Sequence, residues 1–74
     1  MKLHTYKVTY DHLINGRYRE CRPKIVEARN KEEARQMIKD DYYNRLSGWL
    51  ERGYSTSTAK RHVRWPFHIE AERI

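Results

Sequence analysis

Four histidines, one cysteine, two pairs of adjacent carboxylates and ten arginines are the side chains with chemistry to offer in this 74-residue sequence. A zinc site needs about four ligands in a tetrahedral array. His62 and His68 fall on the same side of a final extended run. At about 3.3 Å per residue they stand roughly 20 Å apart, too far for one ion. His4 and His12 are similarly separated, and Cys21 has no second thiol. All five read as surface, interface or half-buried structural residues. Cys21 and a histidine would form a nucleophilic pair only if the thiol were activated. No glycine-rich turn or helix N-terminus lies behind it. Glu32-Glu33 and Asp40-Asp41 belong to a helical stretch and read as solvated charge or as partners of Arg and Lys one turn away. The three glycines, at positions 16, 48 and 53, are scattered and form no phosphate-cradling loop. No catalytic group, metal or cofactor is expected, and the chain reads as a non-enzyme.

Arginine carries a different message. The sequence has 16 Lys and Arg against 10 Asp and Glu, a net charge of +6. Ten of the 16 cations are Arg. Arg holds phosphate and carboxylate through two parallel N–H bonds, so this bias suits recognition more than solubility alone. Arg17, Arg19, Arg22 and Lys24 sit together in one segment, and Lys60, Arg61 and Arg64 in another. Lys7 joins them from the first extended run. Tyr18 and Trp65 lie among these cations, and exposed rings between cations suit stacking on single-stranded bases. These eight cations are the expected contact set for an acidic protein surface, a nucleoprotein complex or nucleic acid.

Length and composition bound the scaffold that must position them. Seventy-four residues make one domain, 1–74. Only 13 are Leu, Ile, Val or Phe, below the roughly one-fifth at which disorder becomes a serious reading. Six Tyr and two Trp argue back, because each ring can bury a large area. The expectation is a thin core leaning on aromatics. One Cys excludes an internal disulfide and suits a reducing, cytoplasmic location. The apolar runs, Leu13-Ile14 and Ile25-Val26, are too short for a membrane span or signal peptide.

Residues 3–10 alternate, with Tyr6, Val8 and Tyr10 on one face and Thr5, Lys7 and Thr9 on the other. That period predicts a half-buried strand. Asn15-Gly16 suits the two positive φ angles of a type I′ turn, so residues 17–28 should return as the second strand of a hairpin. Pro23 lacks an N–H and belongs at an edge or a bulge. Without a bulge Tyr18 is in phase with Val26 and Ala28; with one, Cys21 or Ile25 turns inward. Asn30 with Glu33 three positions on reads as a capped helix start. Ala34, Met37, Ile38, Tyr42, Leu46, Trp49 and Leu50 form one helical stripe, ending at Gly48 or Gly53. Residues 55–58 read as a polar loop. Residues 62–72 alternate again, with Val63, Trp65, Phe67, Ile69 and Ala71 sharing a face, and Pro66 marks an edge strand or bulge.

The expected fold is therefore α+β. It is a three-stranded antiparallel or mixed sheet in the order β-β-α-β, with one amphipathic helix packed on one face. The open face would then carry Thr5, Lys7, Thr9, Arg64, Pro66 and His68 with part of the Arg17–Lys24 set, giving a flat positive surface with Glu70 and Glu72 at one end. The edge position of the last strand also suits a symmetric homodimer.

Helix-turn-helix, zinc-finger, RNA-recognition and KH signatures all fail on residues. The organisation resembles that of very small phage or mobile-element proteins. The shared features are a Tyr- and Lys-rich first strand, a tight turn, and a strand ending in Val-x-Ala. An Asn-Lys-Glu-Glu-Ala helix start follows, here within residues 26–34. Some such proteins are anti-CRISPR inhibitors that block the surfaces where a CRISPR complex binds nucleic acid. The resemblance covers most of the chain as architecture, and it implies a non-catalytic inhibitor of a host nucleoprotein complex. It carries over no functional residue. The alternatives are a small nucleic-acid-binding regulator and a self-associating structural protein.

Overall fold

The computed structural model describes residues 2–74. Six elements follow one another: β1 (His4–Ile14), β2 (Arg17–Glu20), β3 (Lys24–Ala28), α1 (Lys31–Glu51), α2 (Thr56–His62) and β4 (Phe67–Arg73). The protein is α+β, with a four-stranded antiparallel sheet and two helices in place of the expected three strands and one helix.

β1 is the central strand. Asp11 pairs with Glu20 of β2 on one edge and with Phe67 of β4 on the other. His4 to Val8 pair with Ala28 to Lys24 of β3. β2 and β3 thus lie along one edge of β1, and β4 lies along the other. Asn15 and Gly16 take φ 52° and 76°, the left-handed geometry that the hairpin turn requires.

β2 and β3 are one returning strand broken by a bulge. The Cys21 N–H donates to the Tyr10 carbonyl at 3.0 Å, and pairing resumes at Val8↔Lys24. Thr9 alone therefore faces both Arg22 and Pro23. Proline, with no N–H to give, suits the unpaired position. The extra residue puts Cys21, not Tyr18, in phase with the inner face. A second bulge sits almost opposite. Pairing runs Thr9↔Glu70 and then Asp11↔Phe67, so Tyr10 faces both His68 and Ile69. His68 adopts φ 53°, a conformation most side chains avoid. This slip turns Phe67 away from the helix side, where simple alternation had placed it beside Ile69.

Asn30 caps α1, its side-chain oxygen accepting from the Glu33 N–H at 2.8 Å. The Glu33 carboxylate answers by accepting from the Arg29 N–H at 3.3 Å. The helix runs through Gly48 and ends before Gly53, whose φ of 92° stops it. Ala34 and Ile38 pack on Tyr6, Val8 and Ala28, with Tyr10, Val26, Ile69 and Ala71 around them. Tyr6 is the one ring in that buried core, so most of the aromatics serve elsewhere.

The segment expected as a polar loop instead starts a helix. The Ser55 hydroxyl accepts from the Thr58 N–H at 3.3 Å, capping α2. Ala59 and Val63, one turn apart, are buried beneath it. The last strand is correspondingly shorter than the alternation of residues 62–72 predicts: His62 ends α2, and 63–66 connect it to β4. No helix among the described residues is long and apolar enough to cross a membrane.

Replacing an N-cap Asn by Ala removes the acceptor for an otherwise orphaned N–H and costs about 1 kcal/mol. Asn30→Ala should lower the melting temperature by roughly 4–8 °C in a domain of this size. Thermal denaturation followed by circular dichroism checks this.

Candidate binding groove

The two bulges decide which side chains share a face. Behind the helices, the open sheet face pairs Thr5 with Glu27, Lys7 with Glu72 and Ile25, Thr9 with Glu70, and Asp11 with Glu20. Five of the ten carboxylates stand there, against Lys7 as the one Lys or Arg among these paired residues. His68 lies on it too, its Nδ1 2.9 Å from Asp11 Oδ2, with the Tyr18 ring 4.6 Å away. The face expected to be positive is acidic. The bulge at Arg22-Pro23 is the reason, because it sends Arg17 and Arg19 to the helix side as the partners of Ile14 and His12.

On that helix side the sheet and helices part to leave a groove of about 600 Å³. β1 contributes Tyr10 and His12, and β3 contributes Lys24. From α1 come Ile38, Asp41, Tyr42, Arg45, Gly48 and Trp49, along one side of the helix, and its C-cap adds Arg52. α2 adds His62, and the connection to β4 adds Val63, Arg64 and Pro66. The half of α1 that packs on the sheet uses Ala34 and Ile38. The half that overhangs it presents cations and rings, because no core lies beneath.

Charge in the groove is unbalanced. Four Lys and Arg face one carboxylate, Asp41, which accepts from Lys24 Nζ at 3.2 Å and Arg45 Nε at 3.1 Å. Arg64 Nη1 donates to the Leu13 carbonyl at 3.4 Å. Rings form much of the wall. The Trp49 indole stacks on the His62 imidazole at 4.2 Å and 12°, and the Arg52 guanidinium lies 5.2 Å from the indole centre. Tyr42 meets Trp65 edge-on at 4.9 Å, which braces the tyrosine from outside the groove. Partial burial, then the charges of Arg64 and Arg45, hold the His12 pKa below the ordinary imidazole value. The groove thus disfavours a further positive charge and has room for a negative one.

The eight cations singled out from sequence divide. Lys24 and Arg64 line the groove. Arg19 lies beside His12 on the groove side of the sheet, and Arg17 lies further along the same strand. Arg22 is in the bulge. Lys60 and Arg61 are exposed in the last turn of α2, next to the groove residue His62. Lys7 stands on the opposite, acidic face. Arg45 and Arg52 were absent from that set. Their signal was the row 41, 45, 48, 52, which runs beside the apolar stripe and carries charge in place of hydrocarbon.

Cys21 is half-buried, and burial followed by the Asp11 charge pushes its thiol pKa up, away from a nucleophilic thiolate. Among the described residues no three His, Cys, Asp or Glu gather as a metal site would need. No family model, curated protein or solved structure matches this chain. The fold and site alone define its class: a small α+β protein with a cationic, ring-walled groove on one side and an acidic sheet face on the other.

A depressed histidine pKa has a fixed sign. The unfolded chain takes up the proton first, so the stability owed to neutral His12 is full above about pH 6.5 and is lost as pH falls through the lowered folded value. His12 should titrate below the ordinary value in an NMR pH series, and Arg64→Gln or Arg45→Gln should each move its midpoint upward. His12→Gln should make unfolding free energy less dependent on pH in that window.

Proposed function

We propose that this chain is a small non-catalytic binding protein that engages a nucleoprotein complex, with its groove on the nucleic acid and its acidic sheet face on the basic protein. The observation that supports it is the segregation of charge. A protein with a net charge of +6 places half of its carboxylates on one sheet face and gathers Lys24, Arg45, Arg52 and Arg64 with aromatic rings on the other side. Nucleic-acid sites are basic, and the proteins that hold nucleic acid present basic surfaces of their own. A molecule with one face of each sign complements both. Arginines in the groove suit phosphate through paired N–H donors.

The mechanism is steric and electrostatic occlusion. Bound across the border between nucleic acid and protein, the chain covers both without chemistry of its own. This agrees with the inhibitor role implied by the resemblance to small phage and mobile-element proteins, and with a reducing, intracellular setting.

Two double variants separate the contacts. Arg45→Glu with Arg64→Glu reverses the groove; Glu70→Lys with Glu72→Lys reverses the sheet face. In pull-downs from bacterial lysate, the wild type should retain nucleic acid, and also a basic protein that survives nuclease treatment. The groove variant should lose the nucleic acid, and the sheet-face variant should lose the nuclease-resistant protein. If both variants capture what the wild type captures, the reading fails.

A further inference from the structure

Gly48 interrupts the side-chain wall of the groove. It sits within α1, where Gly costs about 1 kcal/mol relative to Ala. A Cβ built on it would meet no atom within 4 Å, so packing against this protein's own residues does not demand a glycine there. Its neighbours along the groove side of the helix are Arg45, Trp49 and Arg52. A gap in the wall, set between cations and rings, allows a flat group to approach the helix backbone.

The groove's size and lining say which flat group. Its volume, about 600 Å³, lies in the range of small-ligand sites, roughly 300–1,000 Å³. A double helix, whose bases are stacked inside and whose phosphates line its outside, could touch only the rim. A single strand can lay its phosphates on the rim and turn an unstacked base inward. Tyr10 and Tyr42 offer ring faces or edges, the indole already stacks on His62 with Arg52 over its ring, and the lone carboxylate, Asp41, is already neutralised by Lys24 and Arg45. An acidic peptide would use the cations but would leave the ring walls without a purpose.

We infer that the groove is a binding site for single-stranded nucleic acid, with one unstacked base seated at Gly48 and the flanking phosphates held by Arg45, Arg52 and Arg64. This rests on the reading of the groove as the nucleic-acid contact, and it adds strandedness and a seat for the base. Recognition by stacking tolerates any base, so the site selects single strands over duplex more strongly than it selects sequence.

The decisive variant is Gly48→Leu. It adds bulk to the groove without altering charge, and it replaces a poor helix former by a good one, so the fold should hold or gain stability. Fluorescence anisotropy would be measured with a labelled homopolymeric single strand, the same strand annealed to its complement, heparin, and a poly-glutamate peptide. The wild type should bind the single strand at least about tenfold tighter than the duplex, and Gly48→Leu should remove at least about tenfold of that affinity, the size of a lost base–ring stack. Its melting temperature should be no lower than the wild type's. Arg64→Gln should reduce the slope of log affinity against log salt by about 0.7. Equal binding of single strand, duplex and heparin, unchanged in Gly48→Leu, would overturn the base site and leave a general polyanion surface. Binding to poly-glutamate alone would overturn the inference in favour of an acidic protein target. Binding to none of the four would overturn both this inference and the nucleic-acid contact it rests on.

Discussion

β1 has a paired strand on each edge, and on each edge the partner spends two residues where β1 spends one. The two extra residues fall at neighbouring positions, opposite Thr9 on one side and Tyr10 on the other. A strand has a side-chain period of two, so one added residue exchanges every later side chain between faces. The bulge at Arg22-Pro23 turns Glu20 and Tyr18 to the open face while keeping Ala28 and Val26 inside. The bulge at His68 does the same to Phe67 while keeping Ile69 and Ala71 inside. Tyr18 and Phe67 then meet across β1 at 5.5 Å, on the face opposite the core. Without the slips, the hairpin end of the sheet would present Arg17 and Arg19 with the carboxylates, and the charges would largely cancel in place.

The second requirement is the overhang of α1. Twenty-one residues at 1.5 Å each give a helix of about 31 Å. The buried contact with the sheet is made near its start, by Ala34 and Ile38. Beyond that contact the helix needs another reason to persist, and α2 supplies it. Ser55 caps a second turn of chain, Ala59 and Val63 bury their side chains, and His62 stacks on Trp49. The groove is the space between an overhanging helix and the far half of β1, closed at its end by α2 and the segment before β4. Core packing and site thus meet at Ile38, which serves both, and the groove continues along the helix beyond it.

Much of the scaffold is legible in the residues. The alternation of β1, the Asn15-Gly16 turn, the Asn30 cap and the stop at Gly53 are local signals, each readable because its cause lies within a few positions. Pro23 marked a bulge but not its consequence for phase, which depends on pairing with Tyr10 and Val8. Two features gave a misleading pattern. Ala59 and Val63 fit a helical step of four, yet Val63 also fits the alternation that continues to Ala71, and period alone cannot assign it to both. Serines and threonines look like a loop until one of them is recognised as a cap. Pro66 marked an edge or a bulge near the start of the last strand, but the position of the slip, at His68 with its positive φ, depends on pairing with Thr9 and Asp11. The sign of each sheet face was illegible because it rests on both bulges at once.

Charge separation survives in solution because of the molecule's proportions. Its shortest principal extent is 15 Å, whereas the screening length at physiological ionic strength is about 8 Å. Carboxylates on the outer sheet face therefore do little to offset the groove cations on the other side. Within the groove the screening is weaker, and burial, then the charges of Arg64 and Arg45, lowers the His12 pKa. An anion entering that space relieves the repulsion among these groups as well as forming its own contacts. The groups that repel one another there would each attract such an anion.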